Sequence, residues 1–245
     1  MAEFKLPTET VELPSKGLLY PENSPLASGT IEMKYMTAKE EDILTNVNLI
    51  QNGTVIDKLL KSLIVTEGVD YNSLLTGDKN AIMVAARILA YGKDYEIEYN
   101  GERHTVDLSQ IKQKQINLDL LKSRVNSFTY KLPHSGNEVS FKLLTHEDER
   151  LIDREQEGLK KLNKENSSEV TTRLKYTITG VNGNTEQKDI RDFIDNYLLA
   201  RDARALRKYY SSISPDVDLK FKPNGGEEDV DLPIGLTFFW PDSES

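Results

Sequence analysis

The chain has 245 residues, with 31 Lys and Arg against 40 Asp and Glu, for a net charge of −9. That length allows one large domain or two small ones, and the acidic balance leaves no basic excess to neutralise nucleic-acid phosphates. Cysteine is absent, which excludes disulfides, thiolate metal sites and a Cys nucleophile. No run reaches the roughly 18 apolar residues of a bilayer span, and Met1-Ala-Glu-Phe-Lys-Leu-Pro7 lacks the basic-then-apolar pattern of a signal peptide. A soluble, cytoplasmic chain is expected.

The first element is an edge strand at 9–13, stopped by Leu13-Pro14 because proline cannot donate to a central ladder. A Pro/Gly/Ser-rich loop from Ser15 to Gly29 follows. The next strand, 30–36, alternates Ile31, Met33 and Tyr35 with Glu32 and Lys34. Thr37 is then a natural helix N-cap, with Glu40 three positions on as in a capping box. Glu40, Glu41 and Asp42 suit the positive end of that helix. Asn52-Gly53 breaks the chain, and Leu59, Leu60, Leu63 and Ile64 share one helical face. A second helix is predicted from about Asp78 to Tyr91, carrying Ile82, Ala85, Ala86 and Leu89 and stopping at Gly92. Two strands, Asp94–Tyr99 and a run through Val106, close this half. Residues 110–126 read as a partly helical connector.

The second half restates this order. Tyr130-Lys-Leu132-Pro133 echoes Val11-Glu-Leu13-Pro14, and His134-Ser-Gly-Asn137 makes a tight turn. Val139 to Leu144 echoes Ile31 to Met36, and Thr145 with Asp148 repeats the capping box. Residues 163–168 are polar and read as a loop. The stretch 186–211 reads as one long helix, striped by Ile190, Phe193, Ile194, Tyr197, Leu198 and Leu206 and ended by Pro215. Asp216 to Phe221, Gly226-Glu227 and Val230-Asp231-Leu232 echo Asp94 to Tyr99, Gly101-Glu102 and Val106-Asp107-Leu108. The shared order predicts an internal duplication. The expected fold is α+β: two related units, each a small antiparallel sheet packed by about three helices, with superposable strand–strand–helix–helix–strand order. The expected boundaries are 1–109 and 128–232 for the units, 110–127 for the connector and 233–245 for an aromatic tail.

Catalytic chemistry finds little purchase. His104, His134 and His146 are the only histidines. His146-Glu-Asp-Glu149 resembles a metal cluster, but no second histidine stands at zinc-ligand spacing, so solvated or capping roles are expected and no cofactor or metal is predicted. A hydrolase or metal enzyme built on His146 and its acidic neighbours is the minor alternative. No nucleophile elbow, Walker motif or dinucleotide fingerprint is present, and the half calcium loop at Asp216-Val-Asp218 lacks its Gly and Glu. Two features suit binding instead. Arg201, Arg204 and Arg207 recur at three-residue spacing in an acidic chain, where guanidinium groups favour bidentate contacts with carboxylates. Phe238, Phe239, Trp240 and Pro241 concentrate aromatics near the C-terminus, either docked on their own chain or held for a partner, in a tail whose removal should leave the fold intact.

Leu13-Pro14-Ser15-Lys16-Gly17, the strand Ile31 to Met36, Lys39-Glu-Glu-Asp-Ile-Leu44, Ala85-Ala86-Arg87 running to Tyr91-Gly92, and Tyr95 to Tyr99 carry a family resemblance. The sequence resembles the baseplate hub assembly proteins of T-even-type contractile-tailed phages, which include hub assembly chaperones and hub subunits. The likeness covers roughly the first 110 residues well. The second half matches less directly, and Phe238-Phe239-Trp240-Pro241 is similar to the ending of longer members. Shorter members can carry cysteines in their second part; this chain has none, so no role for them transfers. The resemblance implies a protein that is not an enzyme and that binds hub or tape-measure components in the host cytoplasm during tail assembly. It leaves open whether the protein persists as a structural subunit of the virion baseplate. It adds Leu13 and Pro14 to the candidate partner contacts.

Overall fold

The computed structural model describes residues 6–162, 168–223 and 228–240. Thr8–Glu12 (β1) and Thr30–Lys34 (β2) form an antiparallel pair with Val11 opposite Ile31. Ile31 and Met33 face inward and are buried, while Glu32 between them is exposed, the alternation a one-sided sheet demands. β2 stops at Lys34, two residues before the predicted end, because Thr37 caps a helix. Its amide and hydroxyl donate to Glu40 Oε2 at 3.0 and 2.5 Å, and Lys34 Nζ holds the other carboxylate oxygen at 2.8 Å. Three helices follow, Ala38–Leu44 (α1), Val47–Gln51 (α2) and Val55–Leu63 (α3). α3 buries Leu59, Leu60 and Leu63 as their spacing predicts. It ends at Ile64, which turns extended and bridges to Met33 of β2. Thr76–Tyr91 (α4) then leads into the hairpin of Asp94–Tyr99 (β3) and Glu102–Asp107 (β4). Asn100 and Gly101, at φ 54° and 80°, make the tight turn.

The second half runs Phe128–Lys131 (β5), Glu138–Phe141 (β6), His146–Leu162 (α5), Glu169–Thr177 (α6), Ile178–Val181 (β7), Gln187–Asn196 (α7), Ala200–Ile213 (α8), Lys220–Phe221 (β8) and Val230–Asp231 (β9). β5, β6 and β7 form an antiparallel sheet in that order, and β8 pairs with β9. The capping arrangement recurs, with Thr145 donating through its amide and hydroxyl to Asp148 and Lys142 bridging to the same carboxylate. α6 ends at Ile178, extended and paired with Phe141 of β6, as α3 ends at Ile64 on Met33. Among the described residues the architecture is mixed α+β, with small antiparallel sheets and eight helices.

The stretch expected as one helix over 186–211 is two. The amides of Tyr197 and Leu198 both converge on the Phe193 carbonyl, and Leu199 is extended at φ −63°, ψ 140°. No Gly or Pro causes the break. It restarts the helix so that Asp202, near the first turn of α8, reaches the β5–β6 turn, where its oxygens accept the His134 and Ser135 amides at 2.9 Å each. Those hydrogen bonds and the burial of Ala203 and Leu206 outweigh the intrahelical bonds given up.

The two halves are not joined by a free linker. One hydrophobic cluster includes Leu59, Leu74 and Ile82 together with Leu143, Leu174 and Leu206. Leu75 bridges to Thr145, the Thr76 amide donates to Leu144, and the His146 amide donates to Leu74 at 2.7 Å. The connector pairs Gln113 with Val217, flanked by bonds from Lys114 to Asp216 and from Asp218 to Lys112. Asp216 is therefore part of this joint, accepting Asn80 Nδ2 at 3.0 Å, and Val217 is buried. Gly77 makes the closest contact: a Cβ there would stand 1.9 Å from the Pro215 carbonyl oxygen.

Candidate functional site

Two corners of the fold carry matching buried carboxylates. Behind Leu13-Pro14, the amide and hydroxyl of Ser15 donate to Asp78 at 2.9 and 2.7 Å, and the Tyr20 hydroxyl donates at 2.6 Å. Behind Leu132-Pro133, the His134 and Ser135 amides donate to Asp202. Asp78 and Asp202 each sit three residues after an extended leucine, Leu75 and Leu199, that precedes a helix. Burial dominates at Asp78 and pushes its carboxyl up despite the three donors. Burial also acts on Asp202, but the hydrogen bonds from Ser135 and His134 outweigh it and hold that carboxyl below its ordinary value. Glu40 behaves like Asp202. Burial opposes its charge, yet Lys34 and Thr37 bring it down to about 2.

The Asp202 anchor decides which side of α8 meets solvent. Ala203, Leu206 and Ile213 are buried, while Arg201, Arg204 and Arg207 are exposed. Arg207 Nε donates to its own helix at Ala203, 3.3 Å away. Among the described residues, none of the three arginines forms an ion pair with a carboxylate. The large apolar side chains Tyr197 (65% exposed) and Leu199 (49% exposed) stand at the adjoining α7–α8 corner.

The other candidate contacts turn inward. Leu13 and Pro14 are buried beneath the β1–β2 loop, so neither is available to a partner: the proline that ends the strand also directs the chain into the core. Phe238 and Phe239 are fully buried, and the Phe238 ring meets Tyr95 edge-on at 4.9 Å. The tail is thus docked on its own chain, and its removal would uncover part of the core rather than leave the fold intact. Trp240 remains 43% exposed, and Pro241 lies outside the described residues.

His146 is buried, not solvated. It stands at the start of α5 with Nδ1 3.1 Å from Lys79 Nζ of α4. Its Nε2 is 3.0 Å from Asp57 Oδ2 of α3, at hydrogen-bond distance but off the angle a full bond needs. An ammonium can only donate, so Nδ1 accepts and the ring proton belongs on Nε2, toward Asp57. Lys79 and the Tyr71 hydroxyl also donate to Asp57 Oδ1, at 3.0 and 3.1 Å. Burial would raise the Asp57 carboxyl, but His146 and Lys79 outweigh it and hold it well below the carboxylate range. Burial and the Asp57 charge push the Tyr71 phenol up. Lys79 and Tyr71 thus meet Asp57 through hydrogen bonds, while the His146 Nε2 contact to it is close but poorly aligned. The joint was hidden in the sequence because its members, Asp57, Tyr71, Lys79 and His146, span 89 positions; only the acidic helix start beside His146 marked it. His104 is likewise buried, on β4, while His134 is exposed in its turn. Among the described residues, no group of three His, Cys, Asp or Glu is placed to hold a metal ion, and no helix is long and apolar enough to cross a membrane.

The described residues define a scaffold with a buried polar joint and an arginine face on α8 that forms no ion pair among them. A family model described as T4 bacteriophage base plate protein matches residues 7–240. The chain belongs to that family of phage baseplate proteins. No curated protein and no solved structure matched it.

Proposed function

We propose that this protein binds hub or tape-measure components while the contractile tail is assembled, acting as a baseplate hub assembly protein and not as an enzyme. Family membership supplies the baseplate context. The observation that carries the finer reading is the exposed Arg201, Arg204 and Arg207 face, without an acidic partner among the described residues in a chain of net charge −9. Exposed charges cost little to leave solvated, so such a face need not stabilise the fold. It is well suited to steer and orient an acidic partner. Tyr197, Leu199 and Trp240 offer apolar contact area beside or apart from it. The recurring Leu-Pro corners, buried aspartates, Thr-capped helices and Ile-ended helices support reading the two halves as copies of one unit.

Co-expression and pull-down with the hub and tape-measure proteins tests this. Association is expected, and the double change Arg201→Glu with Arg204→Glu should weaken it at least tenfold. No association with any tail protein would end the reading. Mass spectrometry of purified virions separates the two roles open to such a binder, since stoichiometric presence favours a permanent baseplate subunit and absence favours an assembly chaperone.

A further inference from the structure

Between α6 and α8 lies a cavity of about 230 Å³ that reaches from the exposed Val170 and Arg207 down to the buried Leu174 and Leu206. Val170 and Leu174 line it from α6, and Leu206 and Tyr210 from α8. Arg173 and Arg207 stand at its edge, and Glu169 contributes one acid. The volume is below the roughly 300–1,000 Å³ of pockets that enclose a small molecule, and is better matched to a single large side chain. Val170 on the lip is 45% exposed.

The charges at the edge are not equivalent. Arg173 is already committed to Glu149, which takes both its terminal nitrogens. Among the described residues, Arg207 makes just the weak Nε contact to its own helix. Arg204 extends this positive edge one turn earlier on the exposed side of α8. An apolar slot beside an arginine that forms no ion pair among the described residues has the composition of an interface hot spot, where burial of one anchor is combined with a charge pair shielded from water.

We propose that the α6–α8 groove receives an acidic segment of a partner protein, with one aliphatic or aromatic side chain seated between Val170, Leu174, Leu206 and Tyr210 and a neighbouring carboxylate paired to Arg207. The proposal rests on the assembly-binding reading above and adds the chemistry of the segment recognised. The uncommitted arginine selects for acid, and the apolar walls select against a purely polar strand. A polyanion such as nucleic acid would use the charge and leave the slot empty, and would be repelled by the rest of the acidic chain.

The test uses the full-length chain and a fluorescein-labelled synthetic peptide of alternating Glu and Leu, read by fluorescence anisotropy. The comparisons are a Glu/Ser peptide, a Lys/Leu peptide and a single-stranded oligonucleotide. The Glu/Leu peptide should bind at least tenfold more tightly than each of the others. Val170→Asp and Arg207→Glu should each weaken it about tenfold, the effect of losing one hot-spot contact, with melting temperatures unchanged because both side chains are exposed. Val170→Ser and Arg207→Gln serve if either variant misfolds. Equal binding of Glu/Leu and Glu/Ser peptides, stronger binding of the oligonucleotide, or indifference to the Val170 and Arg207 changes would overturn the groove. If those variants still pull down hub or tape-measure protein undiminished, the groove proposal falls while the assembly role stands. If peptide binding behaves as expected but no tail protein associates, the assembly role falls instead.

Discussion

At the start of α4, Asp78 reaches back to Ser15 behind one Leu-Pro corner; at the start of α8, Asp202 reaches back to His134 and Ser135 behind the other. The local device is shared, but the surroundings are opposite. The residue before Asp78 is Gly77, pressed against the Pro215 backbone, and the residue before Asp202 is Arg201, exposed to solvent. One corner faces the joint between the halves and the other faces outward. A hairpin locked by a helical aspartate thus serves equally as an interior hinge-point or as the base of a binding face, and what packs over it decides which.

The sharpest way to break this comparison is at the glycine. Gly77→Ala would drive a methyl group into a backbone carbonyl that cannot swing aside, so a loss of about 3 kcal/mol or more is expected in urea melts. A loss under about 0.5 kcal/mol would show that the α4 corner is not tightly packed. Next comes the polar joint behind it. His146→Ala should cost about 2 kcal/mol, because Lys79 and Asp57 lose a shared buried neighbour and a void is left beside Tyr71. Chemical denaturation of the variant beside wild type measures it.

The paired carboxylates follow. Asp202→Asn keeps one acceptor oxygen for two amides, so about 1–2 kcal/mol should be lost at neutral pH. Asp202 is depressed in the fold, so its contribution is present above the unfolded carboxylate value of about 3.9 and is lost as pH falls through the folded value. The cost of Asp202→Asn should therefore shrink on acidification. Asp78 is raised, so its contribution is present below the unfolded value and is lost as pH rises through the folded one. Asp78→Asn should be better tolerated as pH climbs from about 3 to 7. Stability curves for the two variants should slope in opposite directions; parallel slopes would make the corners electrostatically alike. The smallest effect is expected at Arg201→Ala, within about 0.5 kcal/mol of wild type by thermal melt, because that arginine is exposed and forms no ion pair among the described residues. A large loss there would mean that the outer corner is structural too.

Much of the local structure was legible in the residues. Thr37 with Glu40 and Thr145 with Asp148 announced their helices, His134-Ser-Gly-Asn137 its turn, and Leu59, Leu60 and Leu63 their buried face, because each signal acts over a few residues. The exposed arginine face was legible as well, since three-residue spacing on a helix needs no distant information. The break at 197–199 was not: no Gly or Pro marks it, and its cause is the pair of amides that Asp202 accepts, 68 and 67 residues away. The inward turn of Leu13, Pro14, Phe238 and Phe239 was equally hidden, because an apolar residue has the same letter whether it waits for a partner or fills its own core.

The amino-acid sequence by itself determined the Thr-capped helix starts and the first strands of each half, the lack of cysteine chemistry, the acidic balance and the family likeness that the comparison then established. Only the tertiary structure decided that the halves share a core, that His146 is sealed between Lys79 and Asp57, and that Gly77 and Arg201 occupy like positions with unlike uses. The physical reason is range: capping, turn formation and periodicity are settled within a helical turn, whereas burial depends on which distant surface arrives to cover a residue.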